Sequence, residues 1–268
     1  MKKKAYKKIL HGFMDPIERI LWGTFFIKRV FVNKNKCILI ACMPKSGSTF
    51  LAKSISNLTG YPQRRLSASY ERNDQDIYFP RILDSYGKGT ICQQHLKATR
   101  ENIFLINKFS IKTIVLVRNL LDTIASLHDH ILNESFHTPV FYANENFNGL
   151  PKETQLDQII DLAIPWYINF YVSWWEATEK KIVHPMWVTF SELTQNPGLT
   201  LSKIVKHCNY NYTDIDIEYC LQSIRKKDIR YNKGVAGRGI KTLNEKQINY
   251  VRKYKNYYPW IDFSLVGL

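Results

Sequence analysis

The chain is short of acid. Its 268 residues carry 23 Asp and Glu against 38 Lys and Arg, a formal charge of +15. Such a surplus attracts anionic partners; an acidic glycan, an anionic lipid surface or nucleic acid are the classes it suits. The chain also lacks an apolar run of bilayer length. The best stretch, Ile17 to Val32, follows the lysine-rich start Lys2 to Lys8 and is broken by Glu18, Arg19, Lys28 and Arg29. Neither a spanning helix nor a signal-peptide core is expected there. Residues 1–35 are expected to form a basic tail and a helix packed on the domain, with peripheral contact at a membrane surface as the alternative. Metal-ligand spacing is missing too. The five cysteines are odd in number and form no Cys-x-x-Cys or Cys/His cluster, which argues against a zinc module and fits a reducing cytoplasm. Asn-x-Ser/Thr matches at Asn57, Asn133 and Asn211 read as chance in an asparagine-rich chain. There is no repeat, low-complexity tract or internal linker, so residues 36–268 are expected to form one domain with a substantial core.

What the chain does have is concentrated in Cys37 to Leu51. The apolar run Ile38 to Ala41 reads as a buried parallel strand. It breaks at Pro44 and Gly47, and an apolar helical pattern follows through Phe50, Leu51, Ile55 and Leu58. The turn between them holds Lys45, Ser46, Gly47, Ser48 and Thr49. A turn of this kind aims backbone N–H groups and a helix N-terminus at an anion. Each charge-assisted hydrogen bond made there contributes about 1.5–3 kcal/mol. A Walker A loop is excluded, because that motif places its lysine after a second glycine, whereas Lys45 precedes Gly47.

A second β-branched run, Ile111 to Val117, ends in Arg118. Asn119 and Asp122 can open the following helix, and Ser126 lies eight residues after the arginine. An arginine fork at a strand end and a hydroxyl on the next helix can converge on one phosphate dianion. Further strand-like runs at 90–95 and 186–190 alternate with helical patterns at 48–58, 121–132, 156–180 and 199–208. This alternation predicts an α/β fold, with a central, mainly parallel sheet flanked by helices in three layers. Residues 61–88 and 133–155 read as irregular, the latter as a long loop or lid.

Pro44-Lys-Ser-Gly-Ser-Thr-Phe50 resembles the 5′-phosphosulfate loop of sulfotransferases that use 3′-phosphoadenosine 5′-phosphosulfate (PAPS), and Val115 to Ser126 resembles their 3′-phosphate motif. The resemblance spans most of residues 36–260 and implies a P-loop nucleotide-hydrolase-like domain. It implies that Lys45, Ser46, Gly47, Ser48 and Thr49 hold the 5′-phosphate, and that Arg118 and Ser126 hold the 3′-phosphate. Lys233 and Gly234 match a late Lys-Gly segment that closes over the nucleotide, with Arg238 as an additional contact. Phe50 and Phe190 stand where relatives often carry Trp and Tyr against the adenine. The chain departs from the family at Leu120, usually proline, at Gln93, often lysine, and at Asn232, usually arginine.

The implied reaction moves a sulfuryl group from PAPS to an acceptor hydroxyl and requires no metal. As in phosphoryl transfer, positioning and electrostatics carry most of the catalysis. Lys45 is the expected catalytic cation at the leaving phosphate. His95, ending its strand on the edge where ligands bind in doubly wound sheets, is the expected base, and Glu71 the alternative. His128 and His130 are candidates for the acceptor pocket. Lys97 is a candidate replacement for the charge missing at Gln93. The expected acceptor is a carbohydrate or glycolipid, with no specific nucleic acid partner. A small alcohol, phenol or amine acceptor, peptide tyrosine, and a non-catalytic nucleotide-binding protein are the alternatives.

Overall fold

The computed structural model describes residues 36–69, 74–224 and 237–268. The expectations for residues 1–35, Glu71, Asn232, Lys233 and Gly234 lie outside the described residues. Four strands form one sheet in the order β2-β1-β3-β4, with every pair parallel. They are β1 (Cys37–Cys42), β2 (Thr90–Gln94), β3 (Lys112–Val117) and β4 (Met186–Thr189). Each connection crosses through helix, as parallel pairing demands. α1 (Ser48–Thr59) follows β1. α2 (Phe79–Ser85) precedes β2, and α3 (Arg100–Lys108) follows it. α4 (Leu120–Asn133) and the 28-residue α5 (Lys152–Glu179) lie between β3 and β4. Beyond β4 come α6 (Phe190–Gln195), α7 (Pro197–His207), α8 (Asp214–Ser223), α9 (Arg238–Thr242) and α10 (Glu245–Lys253).

The layers follow from the alternation of side chains along β1. Cys37, Leu39, Ala41 and Met43 enter one core, packed by α3 (Ile103, Ile106), α4 (Ile124, Leu127) and α5 (Tyr167, Phe170, Trp174). Ile38, Ile40 and Cys42 enter a second core, packed by α1 (Leu51, Ile55), α7 (Leu201, Ile204) and Ile217 of α8. All six β1 residues are buried, which is why the segment reads as a continuous apolar run rather than an alternating one. The expected three-layer α/β architecture is thus observed.

Several boundaries differ from the sequence reading. The last strand stops at Thr189, because a capping box claims it. Thr189 Oγ1 accepts the Glu192 N–H at 3.2 Å, and the Glu192 carboxylate accepts the Thr189 N–H at 2.8 Å, so Phe190 opens α6. The segment expected to be irregular over 61–88 contains α2 and two isolated bridges, Gln63 with Ile91 and Ser67 with Ile77. The segment expected to be a loop over 133–155 contains a 3-10 helix (Glu145–Gly149) and the start of α5, which begins at Lys152 rather than 156, and it places Val140, Phe141 and Phe147 in the core. Among the described residues, no helix is long and apolar enough to cross a membrane.

Candidate active site

Because the sheet is all parallel, its four carboxyl ends share one edge. The register puts Cys42 beside Leu116, Ala41 beside Gln94, and Val117 beside Thr189. The next residues along each strand are Met43 to Lys45, His95, Arg118 and Phe190. Four of the residues singled out in the sequence therefore come from four different strand ends to one edge, as the ligand-crevice rule for open α/β sheets anticipates.

The β1–α1 loop is strained in the way an anion cradle requires. Lys45 and Gly47 are both left-handed, at φ 65° and 84°. At Gly47 a Cβ would meet Phe190 Cδ2 at 3.2 Å. Ser46 Oγ donates to the Met43 carbonyl at 2.6 Å, and Tyr167 Oη donates to the Pro44 carbonyl at 3.3 Å. Gly47 is the N-cap of α1, no side chain caps that end, and the first turn has no acid. The leading N–H groups are thus offered to an external acceptor. Ser48 Oγ accepts a 2.8 Å hydrogen bond from Gln93 Nε2, so the residue standing where relatives often have lysine braces the loop instead.

Arg118 closes the loop from β3. Its Nη1 donates to the Lys45 carbonyl at 2.7 Å, and its guanidinium carbon lies 4.0 Å from the centre of the Phe190 ring. The residue is 6% exposed, and its buried Nε has no hydrogen-bond partner. Burial pushes its pKa down, with the neighbouring charge of Arg238 acting the same way and Asp122 opposing. A buried, under-satisfied guanidinium beside a second arginine is an arrangement that an anion would relieve. Arg238 is held by Asp129 at 2.6 Å. α9 itself is docked on α4 by Asp122, whose two oxygens accept the N–H groups of Gly237 (2.8 Å) and Gly239 (2.7 Å). Ser126, one turn beyond Asp122 on α4, is buried.

His95 follows β2 directly. Its Nδ1 faces the Cys42 carbonyl at 2.8 Å, and a carbonyl can only accept, so Nδ1 carries the proton and Nε2 the lone pair. Burial lowers its pKa below the ordinary 6.5, against the opposing effect of that hydrogen bond. The Cys42 thiol beside it is pushed up to about 12 by burial and stays neutral. The ring is thus held as a neutral imidazole.

The other candidates have contacts of their own. His128 Nε2 donates to Gln155 Oε1 at 2.8 Å, a contact that ties α4 to α5. Lys97 is paired with Asp74 at 3.2 Å. Phe50 packs against the α1-side core, and Phe190 is buried under Arg118. Sequence reasoning missed Glu134, which caps α4 and meets both Lys45 and His130. Among the described residues, no group of three or more His, Cys, Asp or Glu side chains is placed to hold a metal.

No family model and no curated protein matches the sequence. The structure, however, superimposes on mouse sulfotransferase SULT7A1, solved in complex with PAP, at a TM-score of 0.60 and 17% identity over 83% of this chain and 85% of that one. The chain has the sulfotransferase fold. Retinol dehydratase, solved with androsterone and the inactive cofactor PAP, gives a TM-score of 0.57 at 11% identity, covering 83% of this chain and 80% of that one. A second retinol dehydratase structure, with retinol and PAP, gives 0.58 at 11% identity, over 84% and 81% of the two chains. At these identities the sulfotransferase fold is retained while most side chains differ, so what happens at this edge of the sheet has to be argued from the residues present.

Proposed function

We propose that the protein is a PAPS-dependent sulfotransferase, transferring a sulfuryl group to an acceptor hydroxyl and releasing adenosine 3′,5′-bisphosphate (PAP). The observation that carries this reading is the 2.7 Å bond from Arg118 to the Lys45 carbonyl, which joins the two cationic motifs into one site on a fold shared with PAP-bound enzymes. The uncapped first turn of α1, with Ser46, Gly47, Ser48 and Thr49, would take the 5′-phosphate. Arg118 and Ser126, with Arg238 standing near Arg118, would take the 3′-phosphate. Phe50 and Phe190 are our candidates for the adenine contact. Lys233 and Gly234 are assigned to the same phosphate on sequence alone.

In the proposed reaction His95 Nε2 accepts the acceptor's hydroxyl proton as its oxygen bonds to sulfur. The bond from sulfur to the bridging phosphate oxygen breaks, and Lys45 stabilises the charge left on that oxygen. The scheme needs no metal. For the acceptor we favour a carbohydrate or glycolipid hydroxyl, a choice supported by the charge of +15. We place the protein in a reducing, cytoplasmic setting, with peripheral contact at a membrane surface, a reading supported by its odd cysteine count and its surplus of basic residues. The deciding experiment incubates the purified chain with PAPS and a panel of glycans, glycolipids, alcohols and phenols, with mass-spectrometric detection of an added sulfuryl group. Transfer to a hydroxyl supports the proposal. Tight PAP binding without transfer to any of them reduces it to nucleotide binding.

A further inference from the structure

The loop lysine does not wait unattended for its anion. Lys45 Nζ lies 3.6 Å from Glu134 Oε1, with the two side chains 15% and 37% exposed. The other carboxylate oxygen, Oε2, lies 2.9 Å from His130 Nδ1. His130 is fixed in turn, since its Nε2 faces the His137 carbonyl at 3.3 Å. Glu134 is the C-cap residue of α4. The helix that carries Ser126 thus also carries, past its last turn, a carboxylate held on the lysine of the other phosphate motif. Burial alone would push the Glu134 pKa up. The hydrogen bond from His130 and the charge of Lys45 outweigh that and hold it below the ordinary carboxylate value, so it is ionised at neutral pH.

We propose that Glu134 is a latch on Lys45: in the donor-free protein its carboxylate neutralises the lysine, and the 5′ end of the nucleotide displaces it. Glu134 is therefore a positioning residue, acting through Lys45. This inference rests on the donor assignment proposed above. The exchange is selective by charge. A polyanion that also engages Arg118 and the α1 N-terminus gains enough contacts to open the pair. A small anion offering one contact has to compete with a carboxylate already in place. The latch also keeps three neighbouring cationic groups, Lys45, Arg118 and Arg238, from repelling one another in the empty site.

The test is a double-mutant cycle on the full chain, reading the Kd of PAP by calorimetry at fixed ionic strength. Glu134→Gln should tighten PAP about two- to fivefold, the range a partly exposed pair allows. In a Lys45→Met background the same substitution should leave Kd unchanged. Weaker binding by Glu134→Gln, or equal tightening in both backgrounds, overturns the latch, the latter because it would reflect only long-range charge. Glu134→Asp, which keeps the charge on a shorter arm, should fall between parent and Gln, and a Kd outside that interval counts against the latch. A second readout needs no nucleotide. In protein carrying ¹³C-dimethylated lysines, the Lys45 resonance, assigned from Lys45→Arg, should shift on Glu134→Gln. An unchanged resonance overturns the latch whatever the ligand. A chain that shows this shift but does not bind PAP refutes the donor assignment and with it the displacement step, leaving only the ion pair.

Discussion

Replacing Arg118 by Met separates what the guanidinium does for the fold from what it does for a ligand. The side chain is 6% exposed, donates at 2.7 Å to the Lys45 carbonyl, stacks at 4.0 Å on Phe190 and leaves its Nε without a partner. Removing it frees one loop carbonyl, at a cost of about 1–3 kcal/mol if that oxygen stays dry, and forfeits a cation–π contact of about 0.5–2 kcal/mol. Against these losses stands the relief of a buried charge that carries an unsatisfied nitrogen, a desolvation cost of several kcal/mol in comparable settings. Methionine also refills the space against Phe190 with apolar volume. The terms oppose one another, so the unfolding free energy should stay within about 1 kcal/mol of the parent. Binding has no such compensation. Losing one charge-assisted contact to a phosphate costs about 1.5–3 kcal/mol, so Kd for PAP should rise about ten- to 150-fold. Urea denaturation and calorimetric titration on the same preparation measure both quantities. A variant destabilised by more than about 3 kcal/mol that still binds PAP with parental affinity would show that Arg118 is a structural strut, and the reasoning would fail.

His95→Ala should lower turnover about 10²–10⁴-fold while PAP affinity stays near parental in a direct titration; unchanged turnover would move the base elsewhere. Because burial lowers the His95 pKa below 6.5, its base form persists to lower pH than that of an ordinary imidazole, and the acid limb of the kcat/KM profile, which reports the free protein, should lie below pH 6.5. A limb at or above 6.5 would contradict the neutral, Nδ1-protonated ring. Gly47→Ala should lower Tm and weaken PAP together, since φ of 84° is strained for alanine, by about 1–2 kcal/mol, and the new Cβ presses on Phe190. Gly239→Ala should destabilise through a different route, because its Cβ would come within 2.3 Å of the Leu121 backbone carbon and lift α9 from α4. Thermal melts on both variants, with PAP titration of each, separate the two mechanisms.

The two central strands were legible because they are buried on both faces and therefore read as apolar runs. Ile38 to Ala41 and Ile114 to Val117 have no competing interpretation at that length. α4 was legible through Asn119, whose side chain caps Asp122 as its position suggests. The elements not anticipated were mostly announced by local signals. Thr99 caps α3, Thr213 with Asp216 opens α8, and Asn244 with Gln247 opens α10. Thr189 with Glu192 is a further such signal, at odds with the strand expected to run to 190, because a side chain three positions ahead claims the Thr189 backbone. The candidate site divides along the same line. Lys45, Arg118 and His95 were visible because each ends a strand. Glu134, Tyr167 and the brace from Gln93 were not, because each reaches the loop from 45 or more residues away and no local pattern encodes the meeting.

The acid that the composition lacks turns out to be placed where the cations gather. α4 carries Asp122, Asp129 and, at its end, Glu134. The charge of Asp122 acts on Arg118, Asp129 holds Arg238, and Glu134 holds Lys45. One helix and its cap thus supply a counter-charge to Arg118, Arg238 and Lys45, the described cations of the proposed donor site, and Asp122 spends its hydrogen bonds on the backbone of α9, bringing Arg238 into range. This explains how a buried arginine and a half-buried lysine can be gathered at one sheet edge before any ligand arrives, at a desolvation cost that unpaired charges would make prohibitive. It also separates the site from the net charge of the chain. The surplus of +15 resides outside this locally balanced cluster, so it bears on which acceptor or surface is attracted, whereas in the proposed donor site affinity would depend on how readily Glu134 yields Lys45 to phosphate.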